Sequence, residues 1–402
     1  MKDLKHMIFF ESLLHETNND LVRQGASEGK LALGYTCFHI PEALLNLPGC
    51  FSVRLRAPHS ASTEIATYYM ASSACEYCRA LLERAIEGGF QFLDAIVGVD
   101  ICEGMNRCYE NMELLKTQGP DKDKFFISYI DVPSKDEEIV VKHIQEQLER
   151  KYLKPLSERY GIDTSDAAIR KAVKEHNEVC RVITEIGNFR KAKNPVITGA
   201  EFHKIVLASF VAPKHLIIDK LYETLEELKT RQPDPKPFYR ARVLVVGGEI
   251  DDPGMIELVE ESGAMVAADR FCFGSIPGRQ EIILNDDEPA LTQVIRTNVQ
   301  QTACPRYMSH SKIQYRQQQA DQLCKEYHCD GIIYEQMKFC TYWSFERAFQ
   351  SHVMDSDYGY PTLSIDRPYR SNGSGQLRTR VQAFVERLEI IKIKEREEAM
   401  RP

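Results

Sequence analysis

No stretch of the 402-residue sequence approaches the ~20 consecutive apolar residues that a membrane-spanning helix needs. The opening Met1-Lys2-Asp3-Leu4-Lys5-His6 lacks the apolar core and small-residue cleavage site of a secretory signal, so the expected location is the cytoplasm. A basic excess is missing too. Lys and Arg number 51 against 59 Asp and Glu, a net charge of −8, which leaves no footprint for nucleic acid. Phosphate loops are also lacking: Gly25-Ala26-Ser27-Glu28-Gly29-Lys30-Leu31 has the wrong count for G-x-x-x-x-G-K-[ST] and no hydroxyl for magnesium. No G-x-G-x-x-G follows a strand candidate, and the first strand turn offers Gly34-Tyr35-Thr36-Cys37 instead. No bound nucleotide is expected in this chain.

What is abundant is cysteine. Twelve thiols lie at 37, 50, 75, 78, 102, 108, 180, 272, 304, 324, 329 and 340, with Cys180 alone between Cys108 and Cys272. In a reducing compartment they are either small buried apolar side chains or ligands for a soft metal.

The first third alternates strands and helices, with strand candidates at 31–35, 51–55, 92–99 and 124–132 and helical spacing at 62–70 and 79–87. From 135 to about 231 the chain reads as all helical, with a capping box expected from Ser134 and Glu137, a second start at Ser165, and helices at 199–211 and 213–229. A stiff linker, Gln232-Pro233-Asp234-Pro235-Lys236-Pro237, ends this section. Alternation then returns, with strands expected at 242–246, 264–268, 331–334 and 360–365, helices at 253–262 and 311–327, and a closing amphipathic helix at 375–394. The expected fold is α/β: two Rossmann-like parallel-sheet lobes, 1–134 and 238–402, with a helical middle section, 135–237, and a C-terminal helix.

The two outer thirds look like copies. Strand 92–99 leads to Cys102 and strand 331–334 to Cys340; Cys75 and Cys304 each precede a helix feeding that strand, and Cys37 and Cys272 lie farther upstream near an earlier strand end. Ligand sites in such sheets lie beyond the C-terminal strand ends, so two sets of three thiols would converge if the lobes face each other. Zinc sites usually draw on two short C-x2-4-C knuckles, and only Cys75-Glu76-Tyr77-Cys78 has that form, so the spacing suits an iron–sulfur cluster better. A four-iron cubane with three cysteines would keep one iron open.

At these residues the sequence resembles the 2-hydroxyacyl-CoA dehydratase D-component and benzoyl-CoA reductase family. The resemblance is carried by Gly34-Tyr35-Thr36-Cys37-Phe38-His39-Ile40-Pro41-Glu42-Ala43-Leu44, Cys75-Glu76-Tyr77-Cys78-Arg79 and Asp100-Ile101-Cys102-Glu103. Asp269-Arg270-Phe271-Cys272-Phe273-Gly274, Cys304-Pro305, Glu335-Gln336-Met337-Lys338-Phe339-Cys340 and the closing segment 375–386 extend it along nearly the whole chain. It implies an oxygen-sensitive iron–sulfur cluster and a separate ATP-hydrolysing iron–sulfur activator that injects low-potential electrons. Within the family, the six cysteines Cys37, Cys75, Cys102, Cys272, Cys304 and Cys340 look most like the double-cubane proteins, which hold an 8Fe-9S cluster in a homodimer and reduce small molecules. Cys78 is an alternative ligand to Cys75. A subunit of a 2-hydroxyacyl-CoA dehydratase with a single 4Fe-4S cluster and a sister subunit is the alternative; a non-catalytic electron carrier or zinc-stabilised scaffold is a third reading.

His39, Glu42 and His310 neighbour the proposed ligands and are weak candidates for moving protons, against a structural or surface role. Cys50, Cys108, Cys180, Cys324 and Cys329 read as core thiols. Tyr342-Trp343 either lines a substrate pocket or packs the helix after Cys340.

Overall fold

The computed structural model describes residues 1–60, 62–100, 102–115, 123–369 and 375–400. Among the described residues, mostly apolar runs form eight strands in two parallel sheets. The first sheet contains β1 (Leu31–Tyr35), β2 (Cys50–Arg54), β3 (Ala95–Asp100) and β4 (Phe126–Asp131), in spatial order β2-β1-β3-β4. The second contains β5 (Ala241–Gly247), β6 (Ala264–Phe271), β7 (Gly331–Met337) and β8 (Thr362–Arg367), ordered β6-β5-β7-β8. All six strand pairings are parallel. The two sheets thus repeat one topology, and in each the chain direction of winding reverses between its first and third strands. That reversal opens a crevice at the C-terminal strand ends.

Helices cover the sheets. Helix Glu76–Ile86 feeds β3, helix Glu103–Leu115 follows it, and helices His310–Glu326 and Thr341–Ser356 bracket β7 in the same way. Helix Asp166–Asn188 starts at Ser165, whose side chain accepts from the Ala168 amide. Helix Gly199–Val211 starts with a full capping box between Thr198 and Glu201. The capping box expected at Ser134 does not form: the helix there begins at Glu138, and its N-cap, Glu137, makes no side-chain cap bond. Residues 62–70 hold only a short 3-10 turn, Ala66–Tyr68, at whose start the Ile65 and Ala66 amides donate to the Glu83 carboxylate. Within helix Glu138–Leu148 and its continuation, one π-type turn, Glu149–Leu153, leads into Lys154–Tyr160.

The core crosses the sequence thirds. Helices Gly199–Val211 and Lys214–Thr230 pack their apolar faces into one cluster with β2, helix Glu76–Ile86 and Phe273. The other face of the first sheet packs with residues 140–173 and with Ile282 and helix Ala290–Gln301, which come from the last third. Buried apolar residues on both faces of the second sheet form two further clusters. No helix among the described residues is long and apolar enough to cross a membrane.

Candidate metal centre

Each topological crevice carries sulfur. Cys37 lies two residues beyond β1, and Cys102 two beyond β3 and immediately before helix Glu103–Leu115. Cys75 is the N-cap of helix Glu76–Ile86, and Cys340 the N-cap of helix Thr341–Ser356. Phe339, in the left-handed region at φ 66°, makes the turn that carries Cys340 from β7 into its helix. Cys272 follows β6 directly, and Cys304 lies in the loop before helix His310–Glu326.

The crevices merge into a cavity of about 710 Å³ lined by Cys37, Cys75, Cys78 and Cys102 from the first lobe and Cys340 from the second. Its apolar wall includes Met70, Ala74, Met105, Met337, Phe339 and Trp343, and Tyr342 also reaches it. Cys272 and Cys304 are not among the lining residues; Cys304 acts electrostatically on Cys37, and both Cys304 and Cys37 act on Cys272. Burial is the main force raising the Cys37 thiol, with Cys304 adding to it. The Cys272 thiol is raised by burial, then by Glu249, Cys304 and Cys37. Burial likewise lifts Cys304 to about 11. The remaining thiols form a second group: Cys340 is raised by burial and by Cys75, while Cys78 hydrogen-bonds to Cys102 and Cys75. The bond from Cys78, helped by the Met105 and Gly104 amides at the helix start, outweighs burial and holds Cys102 down at about 7. Cys304 and Cys102 connect the two groups.

These electrostatic influences run across the lobes, linking Cys37 with Cys272 and Cys304, and Cys75 and Cys102 with Cys340. The reason is positional. Cys102 and Cys340 follow equivalent strands, β3 and β7, but Cys37 follows the first strand of its sheet and Cys272 the second of its own. The position equivalent to Cys37, two residues beyond β5, holds Glu249. This glutamate lines the cavity, burial lifts its carboxyl to about 7, and its Oε2 makes no hydrogen bond. The sequence reading passed over it, although aligning the ends of β1 and β5 points to it.

The weak proton-transfer candidates lie away from the cavity lining. His39 is buried, with its ring stacked against Phe38 and Tyr307 and neither nitrogen bonded, and burial pushes it down to about 3. Glu42 is buried under Lys214, whose Nζ is 2.6 Å away, and under Arg279. His310 is exposed at the first position of its helix. Cys108, Cys180 and Cys324 are fully buried, Cys50 is buried at the opposite end of β2, and Cys329 precedes β7, where its thiol contacts Cys324.

Among the described residues, no group of three or more Cys, His, Asp or Glu side chains is drawn together around a single ion. The cysteines lining the cavity supply thiolate donors, the ligand chemistry of iron–sulfur groups. Unbonded Arg54 Nη2 and Arg316 Nη2 behind the thiols add positive charge suited to an anionic cluster.

A fold of two matched parallel-sheet lobes with cysteines on the facing strand ends defines the class, and comparison with known proteins gives the family. Residues 37–388 match the family model for the 2-hydroxyglutaryl-CoA dehydratase D-component, and the chain belongs to that family. It is 21% identical over 382 residues to the (R)-phenyllactyl-CoA dehydratase beta subunit of Clostridium sporogenes, covering 94% of this chain and 97% of that one. It is 22% identical to the (R)-2-hydroxyglutaryl-CoA dehydratase subunit beta of Acidaminococcus fermentans, over 90% of this chain and 93% of the relative. The lactoyl-CoA dehydratase subunit beta of Anaerotignum propionicum is 20% identical, with the same coverage.

Proposed function

We propose that this chain is a cytoplasmic iron–sulfur reductase whose six cysteines, Cys37, Cys75, Cys102, Cys272, Cys304 and Cys340, hold a double-cubane 8Fe-9S cluster. When bound, such a cluster supplies electrons at low potential to a small molecule in the cavity. A separate ATP-hydrolysing iron–sulfur activator loads those electrons, and the chain works as a homodimer. The observation that supports this reading is a single cavity lined by Cys37, Cys75 and Cys102 from one lobe and Cys340 from the other, with Cys37 also acting electrostatically on Cys272, and Cys304 on Cys37.

The chain's own residues prepare the site. Amides at the start of helix Glu103–Leu115 and the Trp343 amide stabilise the thiolate forms of Cys102 and Cys340. Met70, Met337, Phe339 and Trp343 exclude water from much of the wall. Cys78 holds Cys102 by hydrogen bonding, a supporting position from which it could also replace Cys75 as a ligand.

The relatives are dehydratase beta subunits, which favours a second reading, a dehydratase subunit with a sister subunit and, in this reading, a single 4Fe-4S cluster. Iron and sulfide counts on anaerobically purified protein decide between them. About eight irons per chain support the double cubane and about four the dehydratase subunit, while none refutes both. Cys272→Ser and Cys340→Ser should each lower the iron content; unchanged iron in Cys272→Ser refutes the six-ligand scheme.

A further inference from the structure

Behind Cys272 and Cys304 lies an excess of buried positive charge. Arg54 is fully buried and donates from Nη1 to the Cys272 carbonyl at 2.7 Å and from Nε to the Thr36 carbonyl at 3.2 Å. Arg316, 1% exposed, donates from Nη1 to the Tyr307 carbonyl at 2.7 Å and to the Cys304 carbonyl at 3.4 Å. Arg270, two residues before Cys272, is 2% exposed. Arg316 and Arg270 share one buried carboxylate, Glu346, which lies 2.9 Å from Arg316 Nε and 3.5 Å from Arg270 Nη2. Glu249 stands 4.0 Å from Arg54 Nη2, an ion pair at its outer limit with no hydrogen bond.

Arg54 Nη2, Arg316 Nη2 and both Nε and Nη1 of Arg270 have no hydrogen-bond partner. Buried charge left this way is costly unless a counter-charge meets it. The second thiol group has a different environment. Cys75, Cys102 and Cys340 adjoin helix N-termini and line a cavity that Arg107 also reaches, with its rim open at Phe339, which is 57% exposed; among the described residues, none of the three has an arginine side chain donating to its own carbonyl as Cys272 and Cys304 do.

Resting on the cluster reading above, we infer that Arg54 and Arg316 are positioning residues that raise the reduction potential of iron held by Cys37, Cys272 and Cys304 above that of iron held by Cys75, Cys102 and Cys340. In loaded protein the iron held by Cys37, Cys272 and Cys304 would take the first electron, and that held by Cys75, Cys102 and Cys340 would be the more reducing. Each step adds one electron to a ferric ion, making it ferrous, and oxidises one molecule of a one-electron donor; no bond to the protein forms or breaks.

The test is a titanium(III) titration of the iron-loaded protein, followed by electron paramagnetic resonance. In Arg316→Gln the first reduction should become at least tenfold less favourable, 59 mV for one electron, while the second moves by less than half as much. Arg316→Lys should recover most of the loss. Cys304→Ser should change the first signal to appear and Cys340→Ser the second. Equal shifts of both steps, no shift, or a first signal that responds to Cys340→Ser overturns the assignment. If Arg316→Gln does not load iron, Arg54→Gln is judged by the same criteria. Wild-type protein that takes up no iron would instead refute the cluster reading, a result separate from loaded protein with unmoved potentials.

Discussion

Replacing Glu42 by alanine removes a carboxylate that three parts of the chain share. Its Oε1 takes Lys214 Nζ at 2.6 Å and the Ser52 hydroxyl at 3.2 Å, its Oε2 pairs with Arg279, and His176 Nδ1 stands at 3.6 Å. Burial alone would raise this carboxyl, but Arg279 and Lys214 overcome it and hold the group well below its ordinary 4.5. The stability it contributes is therefore complete above pH 4.5 and is lost as the pH falls. Without it, the two buried cations keep only neutral partners: Lys214 bonds the Ser209 carbonyl at 2.7 Å, and Arg279 bonds the Ser209 hydroxyl through Nε and the Gly278 carbonyl through Nη1, each at 2.9 Å. Breaking a buried pair in this way costs roughly 3–5 kcal/mol. Anaerobic urea unfolding followed by circular dichroism should show that loss in Glu42→Ala. The double variant Glu42→Gln/Lys214→Met should lose less than the sum of its single changes, by about 1–3 kcal/mol. An unchanged urea midpoint in Glu42→Gln, together with lost activity, would refute the structural role and make this carboxylate part of the chemistry.

Three further outcomes follow from the fold. His176 and His203 are buried and pushed down to about 4, so the unfolded chain binds more protons between pH 6.5 and 4. Stability should fall across that window as the pH drops, by about 3 kcal/mol at most for each histidine, and His203→Gln should flatten the urea-midpoint profile. In Gly199→Ala the new Cβ would lie 2.5 Å from the Val266 carbonyl oxygen, a backbone atom that cannot swing away. Thermal unfolding should register a loss of about 1–3 kcal/mol. Thr198→Ala removes half of the capping box on the same helix and should cost about 1 kcal/mol by the same measurement, whereas Ser134→Ala, with no box to lose, should cost next to nothing.

The strands were legible because each is a short apolar run closed by Gly, Pro or Asp; the 31–35 expectation coincides with β1, and 264–268 falls short of β6 only at its polar end, Asp269-Arg270-Phe271. Helix Gly199–Val211 was expected at its observed bounds, although its Thr198 cap was not foreseen. Ser134 misled because a Ser and a Glu three apart can satisfy the pattern without the backbone turning there. The thiols were legible singly but not in their association. Local spacing tells where a cysteine stands relative to its own strand, whereas Cys37 meets Cys272 only through the way one sheet faces the other. Glu249 was missed for a related reason: an acid after Gly247-Gly248 looks like an ordinary solvated turn until β5 is seen to occupy the place of β1.

The return of helix Ala290–Gln301 to the first sheet has a consequence for synthesis. Val294, Ile295 and Val299 fill the same interior as Leu33, Val97 and Ile130. A nascent chain emerging from the ribosome cannot seal its N-terminal half when that half has been made, because part of the packing comes about 160 residues later than β4. Until then an apolar face stays uncovered, a natural place for a chaperone to hold the growing polypeptide.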